Sequence, residues 1–282
     1  MRHNYRLLIL LSPVLLWLFC FFFLPLISVL IYSFVERGTY GGIEWNFTLE
    51  NYQRLFDGLY LGTLWRSIST AFVCTIICLL IGYPFAYYLA YYRPKLRNVL
   101  LLLVVVPFWI NFLIRTYAWI LILRTEGLLN SFLSILIPGF QPLEILNTPF
   151  AVQIGLVYGY LPFMILPLYA ALEQMDFSLI DAAKDLGASP RHAFWHVTLP
   201  LSIPGILAGS MLVFIPTVGA FLTPDILGGG KVSFVGNVIE RQFKTARDFP
   251  FGAALSFMLM AIVLAGTVLY FRVLQDSESA ET

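Results

Sequence analysis

Apolar residues run almost unbroken over about 7–34, 67–92, 98–123, 150–172, 201–223 and 250–274, and polar residues gather between these runs. A helix that crosses a bilayer needs about 20 consecutive apolar residues. All six runs reach that length, so the pattern predicts an all-α integral membrane protein with about six transmembrane helices. The whole of 1–282 reads as a single transmembrane domain, with 275–282 a short polar tail. The opening "MRHNYR" resembles the start of a signal peptide, but the apolar run after it is too long for one and no A-x-A site follows. The first span therefore reads as a retained anchor.

Positive charge sets the expected orientation. Arg2 and Arg6 precede the first span, and Arg93, Lys95 and Arg97 crowd the turn after the second. Basic residues in short segments stay on the cytoplasmic side, which places both termini in the cytoplasm. The segment 222–249 then lies outside despite Lys231, Arg241, Lys244 and Arg247, because long segments weigh less in that rule.

Composition narrows the partners. Hydrophobic residues make up 59% of the chain, charged residues 12%, and the mean hydropathy is +0.82, so the bulk solvent is the lipid bilayer. A net charge of +1 provides no basic field, and no nucleic acid partner is expected. Cys20, Cys74 and Cys78 all fall inside apolar runs. Cys74 and Cys78 share a helix face, but two thiols make a poor metal site and read as packing residues.

The polar stretch 178–200 breaks the pattern between the fourth and fifth spans. Ser178 and Asp181 have the S-x-x-D spacing that caps a helix start. Leu179, Ala182, Ala183 and Leu186 recur at helical spacing as a narrow apolar face. Gly187 falls where that helix should stop, since glycine takes the left-handed cap without a Cβ clash. Ser189 and Pro190 form an N-cap and first-position pair for a second short helix carrying Ala193, Phe194 and Val197, which Leu199-Pro200 ends. The result is a helix–Gly–helix elbow suited to a groove on a soluble partner, or to lying on the membrane as a connector. A DNA-binding helix-turn-helix is a poor fit: Arg191 is the second helix's only permanent cation, and spans on both sides leave no third helix.

The segment "DAAKDLGASPRHAFWHVTLP" resembles the EAA motif of ABC importer permeases, E-A-A-x-x-x-G followed after nine residues by I-x-L-P. Asp181 stands for the glutamate, Ala182, Ala183 and Gly187 match, and Val197-Thr198-Leu199-Pro200 supplies the ending. "VPFWINFLIRTYAWILIL" (106–123), "GLVYGYLPFMILPLY" (155–169) and "FLTPDILGGGKVSFVGNVIERQFKTARDFPFGAA" (221–254) are similar to the spermidine/putrescine permeases of PotB or PotH type. The resemblance implies a bacterial inner-membrane permease subunit with a type I importer fold. Its elbow would couple to a separate ATPase through Asp181, Ala182, Ala183, Gly187, Leu199 and Pro200. It further implies a second permease subunit, two ATP-binding cassette subunits that use ATP and magnesium, and an extracytoplasmic substrate-binding protein. This chain itself would hold no cofactor.

The residues agree that this chain is not the ATPase, and no enzyme activity is expected. Gly228-Gly229-Gly230-Lys231 imitates a phosphate loop, but Asp225 stands where the first glycine belongs and Val232 replaces the Ser or Thr that would meet the metal. His192 and His196 are four apart, but "HAFWH" lacks the glutamate of H-E-x-x-H and a third ligand.

Polar groups at membrane depth are costly and mark candidate pathways. Arg115 lies four residues after Asn111 in the third run, and Pro107 should interrupt that helix. Gly205 and Gly209 form G-x-x-x-G in the fifth, fit for close contact with a partner permease or with a neighbouring helix of this chain. Pro216 and Gly219 loosen its outer half. A polyamine needs carboxylates and aromatic faces. Asp225, Trp109 and Phe221 are the first choices for its path, with Asn111, Arg115 and Glu240 beside them; an ordinary ion pair of Asp225 with Lys231 is the competing reading. A self-sufficient gradient-driven transporter or channel is the alternative function, but it predicts internal repeats and leaves the elbow without a purpose. A membrane-bound enzyme would need a catalytic cluster.

Overall fold

The computed structural model describes residues 2–92 and 96–279. Arg93 and Lys95, which carried part of the orientation argument, lie outside the described residues, as does the last part of the polar tail. Helices dominate, in the order α1 (Arg2–Leu18), α2 (Leu24–Tyr32), α3 (Glu50–Arg54), α4 (Gly58–Tyr87), α5 (Arg97–Val105), α6 (Phe112–Leu123), α7 (Leu128–Leu136) and α8 (Pro149–Glu173). These are followed by α9 (Ser178–Asp185), α10 (Pro190–Ala193), α11 (Leu199–Val218), α12 (Leu222–Gly228), α13 (Val235–Lys244) and α14 (Phe249–Ser279). Among the described residues, six helical stretches are long and apolar enough to cross a membrane: Leu10–Tyr32, Gly58–Tyr91, Phe112–Leu136, Pro149–Glu173, Pro190–Val218 and Phe249–Val268.

The number of spans matches the hydropathy pattern, but the third is differently built. The expected run 98–123 is not one helix. A 3-10 turn, Val106–Trp109, ends α5, and Ile110 and Asn111 are extended with ψ of 136°. Pro107 has no N–H to continue the ladder, and the Asn111 side chain restarts it by accepting from the Leu113 N–H at 2.8 Å. The stretch long enough to cross is instead Phe112–Leu136, and Arg97–Trp109 is a shorter apolar helix. The fifth span also differs from 201–223, beginning at Pro190 and ending at Val218.

The chain divides into two compact units, 1–62 with 238–282, and 63–237. In the first, strands β1 (Val35–Arg37) and β2 (Ile43–Phe47) pair antiparallel across a loop in which Gly41 and Gly42 have φ of 88° and 91°. Buried Asn51 fixes the loop entry by donating to the Ser33 and Val35 carbonyls at 3.2 and 2.9 Å. Asp248, also buried, accepts from the Phe251 N–H and so caps α14, and it pairs with Arg54 at 3.1 Å. Leu55, Phe251, Ala254 and Leu255 form the small core beside it.

The second unit is organised around α8. Val152, Leu156, Met164, Leu168 and Leu172 on that helix are almost fully buried, together with Cys74, Cys78 and Ala86 of α4 and Val213 of α11. Gly205 and Gly209 set the α8–α11 spacing. A methyl group on Gly205 would lie 2.5 Å from the Ala171 Cβ and 2.9 Å from the Pro167 carbonyl oxygen, and one on Gly209 would lie 2.8 Å from the Met164 sulfur. The mate of the G-x-x-x-G pair is therefore a helix of this chain. Tyr83 on α4 and Ser202 on α11 share a hydrogen bond of 2.9 Å.

Candidate functional site

The elbow forms where the sequence places it, with its caps partly reassigned. Gly187 has φ of 89°, the left-handed conformation that a Cβ disfavours, and its N–H closes on the Lys184 carbonyl at 2.9 Å. Ser189 caps α10 by accepting from the His192 N–H at 3.3 Å, with Pro190 in the first turn. Ser178 does not cap α9. The Asp176 carboxylate takes that role, accepting from the Ser178 N–H at 3.0 Å, because a carboxylate two residues upstream outcompetes a hydroxyl at a positive helix end. Hydrogen bonds from the Ser178 side chain and N–H hold that carboxyl below its usual range.

Leu199-Pro200 does not end the second short helix. A π-turn, Phe194–Thr198, absorbs the mismatch, and the helix runs on into α11 with Pro200 in its first turn. A proline there needs no N–H partner, so continuation is permitted.

The elbow has an anchored side and an open side. Ile180, Ala193 and Thr198 are buried, and Phe194 meets Tyr83 and Tyr87 edge-on at 5.8 and 6.4 Å. Leu179, Ala182 and Leu186 are exposed, Leu186 to 90%, and Ala183 is half-buried beside them. Leu179 and Leu186 together leave apolar surface on the elbow's open side. Asp181 pairs with Lys184 at 3.0 Å and raises its ammonium pKa, and Lys184 also faces the Tyr91 ring at 5.9 Å. His192 and His196 stack at 3.9 Å, and His196 Nδ1 lies 3.1 Å from the His192 carbonyl oxygen. Behind the elbow a groove of about 310 Å³ is lined by Ala171, Gln174, Met175, Asp176, Leu179 and Leu201 among others.

The pathway candidates fall into separate places. Phe221 and Asp225 flank the first turn of α12, both exposed, with the Asp225 N–H on the Phe221 carbonyl at 3.0 Å. Buried Asn237, which sequence reasoning missed, holds that turn by donating to the Phe221 carbonyl at 2.7 Å while accepting from the Phe234 N–H at 3.1 Å. Asp225 and Lys231 form no ion pair among the described residues. Glu240 pairs with Lys244 at 2.8 Å in the first unit. Trp109 lies on the α5–α6 break, 76% exposed, and the Asn111 side chain is occupied by capping.

Arg115, one turn into α6, is held by rings. Its guanidinium carbon lies 4.6 Å from the Phe108 centroid, 5.8 Å from Phe112 and 5.9 Å from Tyr158. Its Nε and Nη1 are buried and meet no hydrogen-bond acceptor among the described residues.

Comparison with known proteins places this architecture. The family described as "Binding-protein-dependent transport system inner membrane component" matches residues 82–276. The spermidine/putrescine transport system permease protein PotB of Haemophilus influenzae is 46% identical over 91% of this chain and 90% of that protein. PotB of Escherichia coli is 44% identical over 91% and 93%. Among solved structures, a bacterial ABC transporter that imports alginate superposes with a TM-score of 0.69 at 18% identity, covering 96% of this chain and 97% of that one. The inward-facing MetNI methionine ABC transporter superposes at 0.53 with 21% identity, covering 77% and 94%. A multi-pass inner-membrane fold and this family match together show that the chain belongs to the binding-protein-dependent transport system inner membrane components, as a permease subunit of an ABC importer.

Proposed function

We propose that this permease carries polyamines, spermidine or putrescine, into the cell, driven by ATP hydrolysed on separate subunits. The observation that carries the reading is 44–46% identity, over nine-tenths of the chain, to permeases named for those solutes. The partners are a second permease subunit, two ATP-binding cassette subunits using ATP and magnesium, and an extracytoplasmic substrate-binding protein. Both termini and the elbow face the cytoplasm. This chain contributes no nucleotide site: Val232 occupies the position of the P-loop hydroxyl and is buried.

The elbow's open side supports mechanical coupling. Leu179, Ala182 and Leu186 supply an apolar contact for a cleft on the ATPase, the small alanines permit close approach, and Gly187 fixes the angle between the helices. Its buried side ties that contact to α4 and α11. Closure of the ATPases would thereby reach helices that flank the path, provided the contact differs between the two states. Asp225, Phe221 and Trp109 are exposed and supply the carboxylate and ring faces a polyammonium ion needs.

Co-purification in mild detergent from cells with the native set of subunits tests the coupling. Wild-type chain should bring down a soluble ATPase. Gly187→Pro, which forces φ near −65° where the elbow needs 89°, should lose it while the chain still inserts. Equal recovery of the ATPase with both would refute the elbow's role.

A further inference from the structure

We propose that Phe108, Phe112 and Tyr158 form a cage for an alkylammonium group of the solute, and that Arg115 is a tethered cation that fills the cage until solute displaces it. The inference rests on the polyamine reading above.

Ring faces attract any cation placed within about 6 Å of the centroid, so a cage that holds a guanidinium also holds an ammonium. All three rings around Arg115 meet that distance. Among the described residues Nε and Nη1 have no acceptor, so a competing cation displaces those two nitrogens without breaking a hydrogen bond. The cage also has a wall built to move. Phe108 belongs to the 3-10 turn and Phe112 begins α6, and the extended Ile110–Asn111 link joins them. A shift about that link changes the spacing of two rings while Tyr158 stays on α8.

An acidic side chain from a second permease is the rival occupant for Arg115. The burial of Nε and Nη1 inside this unit leaves such an acceptor only Nη2, too few donors for a bidentate carboxylate pair. A polyammonium solute repels Arg115 and cannot share the cage with it. Occupancy by one cation or the other is the arrangement that satisfies both constraints.

Equilibrium binding of radiolabelled spermidine to the purified complex of permeases and ATPases, without binding protein, tests the proposal. Arg115→Gln should tighten the apparent Kd roughly three- to ten-fold, the strength of a displaced cation–π contact. Arg115→Lys, which restores a cation, should return it to within about two-fold of wild type. Phe108→Leu should weaken binding, and in that background Arg115→Gln should no longer tighten it. Unchanged or weaker binding by Arg115→Gln, or loss of the second permease from the Arg115→Gln complex, would overturn the proposal. Spermidine uptake by the wild-type complex, reconstituted in vesicles with its binding protein, separates the two levels. Uptake without the predicted tightening defeats the cage alone, whereas neither uptake nor binding defeats the polyamine reading with it.

Discussion

Replacing Gly205 with alanine adds one methyl group at the tightest point between α8 and α11. That methyl would sit 2.5 Å from the Ala171 Cβ, 2.9 Å from the Pro167 carbonyl oxygen and 3.3 Å from the Leu168 Cα. None of the three atoms ends a flexible side chain, so the helices themselves must separate. Overpacking of this kind costs about 1–3 kcal/mol, and the intrinsic helix preference of alanine over glycine returns at most about 1 kcal/mol. A net loss of about 1–2 kcal/mol corresponds to a fall in Tm of roughly 2–8 °C for a chain of this size. A thiol-reactive fluorogenic dye reads the transition, because Cys74 and Cys78 are fully buried in the same unit, and Cys20→Ser removes the exposed background thiol. Gly266→Ala is the control, since its added methyl meets nothing within 4 Å and α14 should hold or gain stability. A Gly205→Ala protein that melts with or above wild type would refute the close packing of α8 on α11.

Three further outcomes follow from the geometry. Gly187→Ala has open space around its new methyl, so its cost is the left-handed backbone alone, about 1–2 kcal/mol confined to the elbow; ATPase stimulation by solute should fall while Tm of the chain stays unchanged. The Asp176 carboxyl is held low in the folded chain, so its contribution to α9 is complete above the ordinary carboxylate range and lost as pH falls through the lowered value. Asp176→Ala should therefore loosen the elbow equally at pH 6 and pH 8, read by amide hydrogen exchange over 178–185, and a difference between those two pH values would count against the cap. Asn237→Ala strands the Phe234 N–H and the Phe221 carbonyl and should lower stability by about 1–3 kcal/mol, whereas an unchanged melting curve would show that the α12 turn does not depend on it.

The features legible in the sequence were those fixed by short-range chemistry. Six spans followed from length and apolarity, and the elbow followed from Gly187, Ser189 and Pro190, whose backbone preferences act within one turn. The third span was misread because counting apolar residues merged two helices that Pro107 and the capping Asn111 separate; those two residues were the available signal. The α9 cap was assigned to Ser178 although Asp176, two residues earlier, is the stronger acceptor. The hairpin 35–47 went unnoticed, although Gly41-Gly42 followed by Ile43, Trp45 and Phe47 carries a turn and an alternating strand. Long-range pairings had no local signal at all. The mate of Gly205 and Gly209, the carbonyl held by Asn237 and the Tyr158 ring near Arg115 all come from other elements of the chain.

ATP-driven uptake of labelled spermidine tests the central claim most directly. The chain would be reconstituted in vesicles with its second permease, ATPases and binding protein. Uptake should require ATP on the cytoplasmic face, persist when ion gradients are collapsed, and disappear with Gly187→Pro in complexes that still insert. Uptake by the lone chain on an imposed ion gradient, without ATP or the other subunits, would contradict an importer coupled through the elbow.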